Sequence, residues 1–230
     1  MATFVLVHGA FQGGWVWREV AAALRGRGHE VFAPTLSGCG HLHHGAREGL
    51  GLHAYVQDVD GLLQFEGLDQ AVLVAHSYSG MICGAAMMRA AHLLRRAVFV
   101  DALIPDSNAS FADVAGEAFR HMLEAHRVNG WRVRPWPLPV FGAPPERAAW
   151  FAQRLCDFPL AAFTAPFPGE FDPSAVETSF IACRHTASPF IRAMAGKAAK
   201  LGWPVAELDS AHCPMLACPA ALADLLHEQA

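Results

Sequence analysis

The sequence predicts an α/β fold of about six parallel strands with helices on both faces. Short β-branched or apolar runs alternate with longer amphipathic stretches, the pattern of a parallel sheet joined by crossover helices. The 230-residue length suits one domain of that class, since such folds reach about 250 residues. Strands are expected at Thr3–Val7, Glu30–Ala33, Ala71–Ala75, Ala97–Asp101, Thr178–Cys183 and Pro204–Leu208. Helices are expected at Val16–Arg25, Leu52–Phe65, Gly80–Leu94, Phe190–Lys200 and Ala220–Glu228, each long enough for a right-handed crossover.

The interval from Asp101 to Thr178 is too long for a simple crossover, so an insertion is expected there. The chain then divides into a core, residues 1–104 and 178–230, and a helical cap, residues 105–177. The cap carries helical patterns at Phe111–His126 and Glu146–Leu155, the tryptophans Trp131, Trp136 and Trp150, and a proline-rich stretch from Arg134 to Phe141. Open α/β sheets bind ligands at their C-terminal edge, so an aromatic insertion at that edge reads as a lid. The plainer reading is a peripheral helical bundle that completes the core.

Composition excludes several classes. Hydrophobic residues make up 53% of the chain and charged residues 17%, against about 25% charged in an average domain, so the chain is not disordered. Seventeen Lys and Arg against twenty-one Asp and Glu leave a charge of −4, with no block of like charges to suit nucleic acid or a membrane surface. No apolar run approaches the ~18 residues of a membrane span. Met1 to His8 lacks a basic export region, and a cytoplasmic location is expected. The six cysteines form no CxxC pair and are expected to be reduced core residues. Oligomeric state stays open, a homodimer included.

The chemistry starts at Ala75-His76-Ser77-Tyr78-Ser79-Gly80, between a strand and a small-residue helix. Such a strand-to-helix elbow forces its central residue into a strained conformation and needs small flanking residues. Ala75 and Ser79 meet that need, although the strict pattern has glycine at both places. Ser77 is thus the expected nucleophile, with the Tyr78 N–H at the start of the helix as an oxyanion donor. A second donor is expected in His8-Gly9-Ala10-Phe11-Gln12-Gly13-Gly14, either the Ala10 amide or, as second choice, that of Phe11. Among thirteen histidines, only His212 follows the last strand and precedes the last helix, where the general base belongs.

Together, Val7-His-Gly-Ala10, Ala75-His-Ser-Tyr-Ser-Gly80 and His212-Cys-Pro-Met-Leu216 resemble the α/β-hydrolase superfamily over essentially the whole chain. Within it the chain is similar to the branch of plant methyl-salicylate-type esterases, hydroxynitrile lyases and bacterial small-ester and pyrethroid-type carboxylesterases. The resemblance implies a cofactor-free hydrolase with a helical cap. Hydroxynitrile lyases typically carry Thr after the first His and Lys after the catalytic His. This chain has Gly9 and Cys213, which favours an esterase.

The acid departs from the branch pattern, in which it follows the penultimate strand. Here that turn reads Ile181-Ala-Cys-Arg-His-Thr186 and offers no carboxylate. Other superfamily members, such as those similar to haloalkane dehalogenases, place the acid after the strand that follows the elbow helix. In this chain that position is Asp101. The expected triad is therefore Ser77, His212 and Asp101, with Asp209, or no acid at all, as the competing readings.

The expected substrate is a small hydrophobic or aromatic carboxylic ester, because no charge is at hand to pair a buried charged ligand. A carbamate or amide hydrolase on the same groups, a lyase, and a ligand-binding member of the fold remain alternatives. Phe11 and Gln12 are expected at the substrate, with Trp131, Trp136 and Phe141 from the cap. Phe111, His121, Met122 and Phe163 are further cap candidates. His8 and His76 are expected to be hydrogen-bonded supports, the Met-rich run from Met81 core, and His41, His43 and His44 loop residues without a metal.

Overall fold

The computed structural model describes all 230 residues. Its central sheet runs β2 (Glu30–Phe32), β1 (Thr3–Val7), β3 (Ala71–His76), β4 (Leu94–Val100), β8 (Thr178–Cys183), β9 (Val205–Leu208), every neighbour parallel. All six residues of β3 are buried, which explains why Ala71-Val-Leu-Val-Ala is a continuous apolar run: a central parallel strand is covered on both faces. Two helix pairs, α1 (Arg18–Gly26) with α11 (Pro219–His227) and α2 (Leu52–Phe65) with α3 (Ser79–Ala90), pack over it. The helix α9 (Pro189–Lys200) lies against β8 and β9, and the short α10 (Pro214–Ala217) leads into α11.

The largest boundary differences from the sequence expectation lie around β4. Helix α3 stops at Ala90, a 3-10 turn follows, and β4 begins at Leu94, not Ala97. Arg95 and Arg96 masked this strand start: their charges suit the partly exposed end of β4, where Arg96 pairs with Glu177. The strand also ends at Val100, so Asp101 belongs to the turn beyond it.

Between β4 and β8 the chain forms α4 (Phe111–Ala115), α5 (Glu117–His126), β5 (Arg127–Val128), β6 (Arg132–Val133), α6 (Leu138–Phe141), α7 (Pro145–Ala152), β7 (Phe158–Pro159) and α8 (Leu160–Thr164). The single helix expected from Phe111 to His126 is broken at Gly116, whose φ of +85° is open to glycine without strain. A Ser110–Asp113 capping box starts the first piece. The strands β5, β6 and β7 make a small antiparallel sheet. At two residues each they are too short to show the alternation that would reveal them in sequence.

Candidate active site

Three turns leave the C-terminal edge of the sheet through single residues in the left-handed region: Phe11 after β1 (φ +68°), Ser77 after β3 (φ +57°) and Asp101 after β4 (φ +44°). For non-glycine residues this is uncommon, and it is costly for a bulky one. The neighbours hold the strain. A Cβ added to Gly80 would come within 1.9 Å of the Leu103 carbonyl oxygen, so the elbow and the turn after β4 pack backbone to backbone. Ser79, where the strict pattern has glycine, accepts from the His76 N–H at 2.7 Å, and its hydroxyl is 2.9 Å from the Val7 carbonyl. Its hydroxyl ties the ends of β1 and β3 together.

The edge brings Ser77, His212 and Asp101 into one line. The Ser77 Oγ is 2.9 Å from His212 Nε2, and His212 Nδ1 is 2.7 Å from Asp101 Oδ2. An ionised carboxylate only accepts, so Nδ1 carries the proton and Nε2 is free to accept from the serine hydroxyl. Asp101 also accepts from the Cys183 N–H at 3.2 Å and from the Thr186 hydroxyl. The carboxylate is buried and its orientation is set by these three donors. Asp209 is elsewhere: it pairs with His185 at 2.7 Å, and both side chains are exposed. Only Asp101 reaches the imidazole.

His8 and His76 are buried beside this line in a neutral form. His8 donates from Nδ1 to the Gly9 carbonyl at 2.8 Å and accepts at Nε2 from the Leu36 N–H at 3.1 Å. Burial pushes its pKa down to about 4. His76 donates from Nε2 to the His212 carbonyl at 2.7 Å. Burial, and then repulsion from His212, push its pKa down to about 3. Both fasten backbone, and the His76 bond holds the His212 segment over the sheet.

The N–H groups of Ala10, Phe11 and Tyr78 make no hydrogen bond within the protein. All three residues line one cavity with Ser77 and His212, which encloses about 50 Å³. These amides are therefore available to an oxygen that develops charge beside Ser77. The Tyr78 side chain turns the other way, donating to the Ala162 carbonyl at 2.8 Å and so tying the elbow to α8.

Of the residues expected at a substrate, Phe11, Gln12, Trp136 and Phe141 line the cavity, as do Phe111, Met122 and Phe163. Trp131 does not. It occupies the turn between β5 and β6, where positive φ at Asn129 and Gly130 turns the chain outward, and its ring stacks on the Arg132 guanidinium at 4.7 Å. His121 does not line it either, and its side chain is exposed. Sequence reasoning missed Phe119, Val140, Ser188, Phe190 and Ile191. The spacing of Phe119 and Met122 on one helical face could have found the first. Phe190 and Ile191 come from α9, outside the insertion, and nothing local marks them. No Asp, Glu, Lys or Arg lines the cavity, and no three His, Cys, Asp or Glu side chains gather to hold a metal ion.

A strained serine on a strand-to-helix elbow, with its base after the last strand, defines a hydrolase of the α/β class. The family model described as "Alpha/beta hydrolase family" matches residues 4–225. A carbendazim hydrolyzing esterase of Nocardioides sp. is 32% identical over 98% of this chain and 98% of its own. Salicylic acid-binding protein 2 of Nicotiana tabacum is 39% identical over 47% of this chain and 43% of its own. Among solved structures, an extracellular α/β-hydrolase from a Paenibacillus species superposes with TM-score 0.84 at 20% identity, over 99% of this chain and 98% of that one. A pyrethroid hydrolase from Sphingobium faniae superposes with TM-score 0.78 at 20% identity, over 99% and 96%. The chain belongs to the α/β-hydrolase family, and it is a hydrolase of the esterase type.

Proposed function

We propose that the protein cleaves small, uncharged hydrophobic or aromatic carboxylic esters through an acyl-enzyme on Ser77. The observation that carries this reading is the hydrogen-bonded line from Ser77 through His212 to Asp101 at the floor of an apolar cavity without a charged wall. Ser77 Oγ attacks the ester carbonyl as His212 Nε2 takes its proton. Asp101 holds the imidazole in the required tautomer and stabilises the imidazolium that forms. The Ala10 and Tyr78 N–H groups, with Phe11 as the alternative first donor, receive the oxyanion. His212 then protonates the leaving alcohol, and a water, deprotonated by the same nitrogen, releases the acid. No cofactor enters this scheme. Residues 105–177 act as the cap that shields the site from water. Six free cysteines suit a reducing compartment, and a cytoplasmic location is part of the reading.

A carbamate would use the same groups. The relative named for carbendazim hydrolysis spans nearly the whole chain, so carbendazim belongs in the first substrate panel. The lyase alternative finds less support. A Cβ on Gly9 would be 3.0 Å from Ser77 Cβ and 3.1 Å from His76 Nδ1, which leaves little room for the threonine such enzymes carry.

The test is intact mass after treatment with a fluorophosphonate. One adduct is expected on the wild type and none on Ser77→Ala. A folded wild type that takes no adduct overturns the reading.

A further inference from the structure

Cys39 lies in the loop after β2, and Cys156 lies in the cap between α7 and β7. Packing brings these two thiols together across the boundary of core and cap: the Cys156 sulfur accepts from the Cys39 thiol and from the Gly40 N–H. Both are free thiols, and they differ in access. Cys39 is fully buried, whereas Cys156 is half-buried and lines an open cavity of about 510 Å³ with Trp15, His41, His43 and Arg154. A small solute reaches Cys156 from solvent, and Cys39 stands directly behind it.

The acidity of the pair is split in the same sense. Hydrogen bonds from Cys39 and Gly40 hold the Cys156 thiol below the ordinary thiol range, against the opposing push of burial and of the Asp157 charge. Cys39 is pushed up, because its proton is kept in the bond to Cys156 and its side chain is buried. Peroxides oxidise thiols selectively where an accessible cysteine that ionises readily has a second cysteine beside it. Cys156 also touches the catalytic edge. Its N–H donates to the Phe11 carbonyl at 3.0 Å, and its thiol donates to the same oxygen at 3.5 Å. Phe11 holds its φ of +68° in the turn that carries the Ala10 and Phe11 amides.

We infer that Cys156 is a site of oxidation by hydroperoxides, that Cys39 resolves it to a disulfide, and that this link between cap and core reversibly slows the reaction of Ser77. The Cys156 thiolate attacks the terminal oxygen of the hydroperoxide. An S–O bond forms, the O–O bond breaks, and the other oxygen leaves with a proton as water or an alcohol. The Cys39 sulfur then attacks the sulfenic sulfur, an S–S bond forms, and the hydroxyl leaves with the Cys39 proton as water. Two electrons pass from the two sulfurs to the peroxide, and a dithiol returns them by exchange. The disulfide removes the thiol donor from the Phe11 carbonyl and fixes the cap to the loop after β2. Misplacing a catalytic group by about 1 Å costs up to about 100-fold in rate, and the Phe11 turn carries the oxyanion amides.

The experiment treats the reduced protein with hydrogen peroxide, digests it without reductant and maps the peptides by mass. The rate of fluorophosphonate labelling at Ser77 is followed before oxidation, after it, and after dithiothreitol. A peptide pair joined through Cys39 and Cys156 is expected, with labelling slowed about tenfold or more and restored by the dithiol. Cys39→Ala should stop at the sulfenic acid, read as one oxygen gained at Cys156 and trapped by dimedone. Cys156→Ser should form no such pair, and peroxide should leave its own labelling rate unchanged. Absence of the joined pair in the folded wild type overturns the proposal, and a pair that forms without slowing the labelling overturns its link to Ser77. If the reduced wild type takes no fluorophosphonate, the esterase reading falls, and the joined pair with the sulfenic acid in Cys39→Ala decides the cysteine site by itself.

Discussion

The turns that follow β4 and β8 leave neighbouring strands, and their polar side chains meet: one reaches the His212 imidazole and the other bonds the first. The β4 turn supplies a carboxylate, Asp101, 2.7 Å from His212. The β8 turn, where the resemblance places the acid, supplies Thr186, whose hydroxyl bonds Asp101 itself. An imidazole that takes a proton needs negative charge at one point in space. Two adjacent parallel strands place their turns one hydrogen bond apart here, so whether the acid can start from either turn without disturbing the serine or the histidine is open to direct test.

The largest effect is expected from Asp101→Asn. Loss of the correct tautomer is expected to lower kcat about 10⁴-fold for the substrate found in the ester panel, with KM little changed. A drop below tenfold would make the site a Ser–His dyad.

Next in size is an effect on folding, which separates His212 from the two neutral histidines beneath it. The folded-state pKa values of His8 and His76 lie at about 4 and about 3, below the 6.5 of an exposed imidazole. The unfolded chain thus binds protons that the native state refuses, and stability is full above pH 6.5 and lost as pH falls toward those values. At pH 5 the cost is about 2 kcal/mol for each, or about 10 °C in Tm relative to pH 7.5. A Tm that stays level over that range would contradict neutral burial of the pair.

Moving the acid tests interchangeability directly. Asp101→Ser should be nearly inactive, and Asp101→Ser with Thr186→Asp should recover roughly 10- to 100-fold in kcat, because the new carboxylate starts one hydrogen bond from the vacated position. No recovery in a folded double variant would show that the β4 turn alone can aim the acid.

Thr186→Val removes one donor from Asp101 and is expected to lower kcat about fivefold, to shift the acidic limb of the kcat/KM profile, and to be rescued by Thr186→Ser. Asp209→Asn should change kcat less than twofold, since its carboxylate faces solvent and His185.

Much of the catalytic edge was legible because it is written in local order. A buried strand followed by small residues and a helix marks Ser77, and a histidine between the last strand and the last helix marks His212. Asp101 was indicated by the absence of any carboxylate between Glu177 and Glu207 together with the resemblance to superfamily members that place the acid after the strand following the elbow helix, with Asp209 or no acid left open. The walls of the cavity were legible only in part. Trp131 and Trp136 look alike in sequence, yet the two-residue strands and the Asn129–Gly130 turn send one ring outward onto Arg132 and leave the other in the cavity.

Local order alone therefore carries the parallel sheet, the elbow at Ser77 and the position of His212, whose signals extend over a few consecutive residues or a whole apolar run. Tertiary structure decided which carboxylate reaches His212, which aromatic rings line the cavity with Ser77, and that Phe190 and the unpaired Ser188 hydroxyl reach that cavity from the core side. Those outcomes depend on where distant segments meet, and side-chain direction at such a meeting is set by packing between elements that share no local pattern.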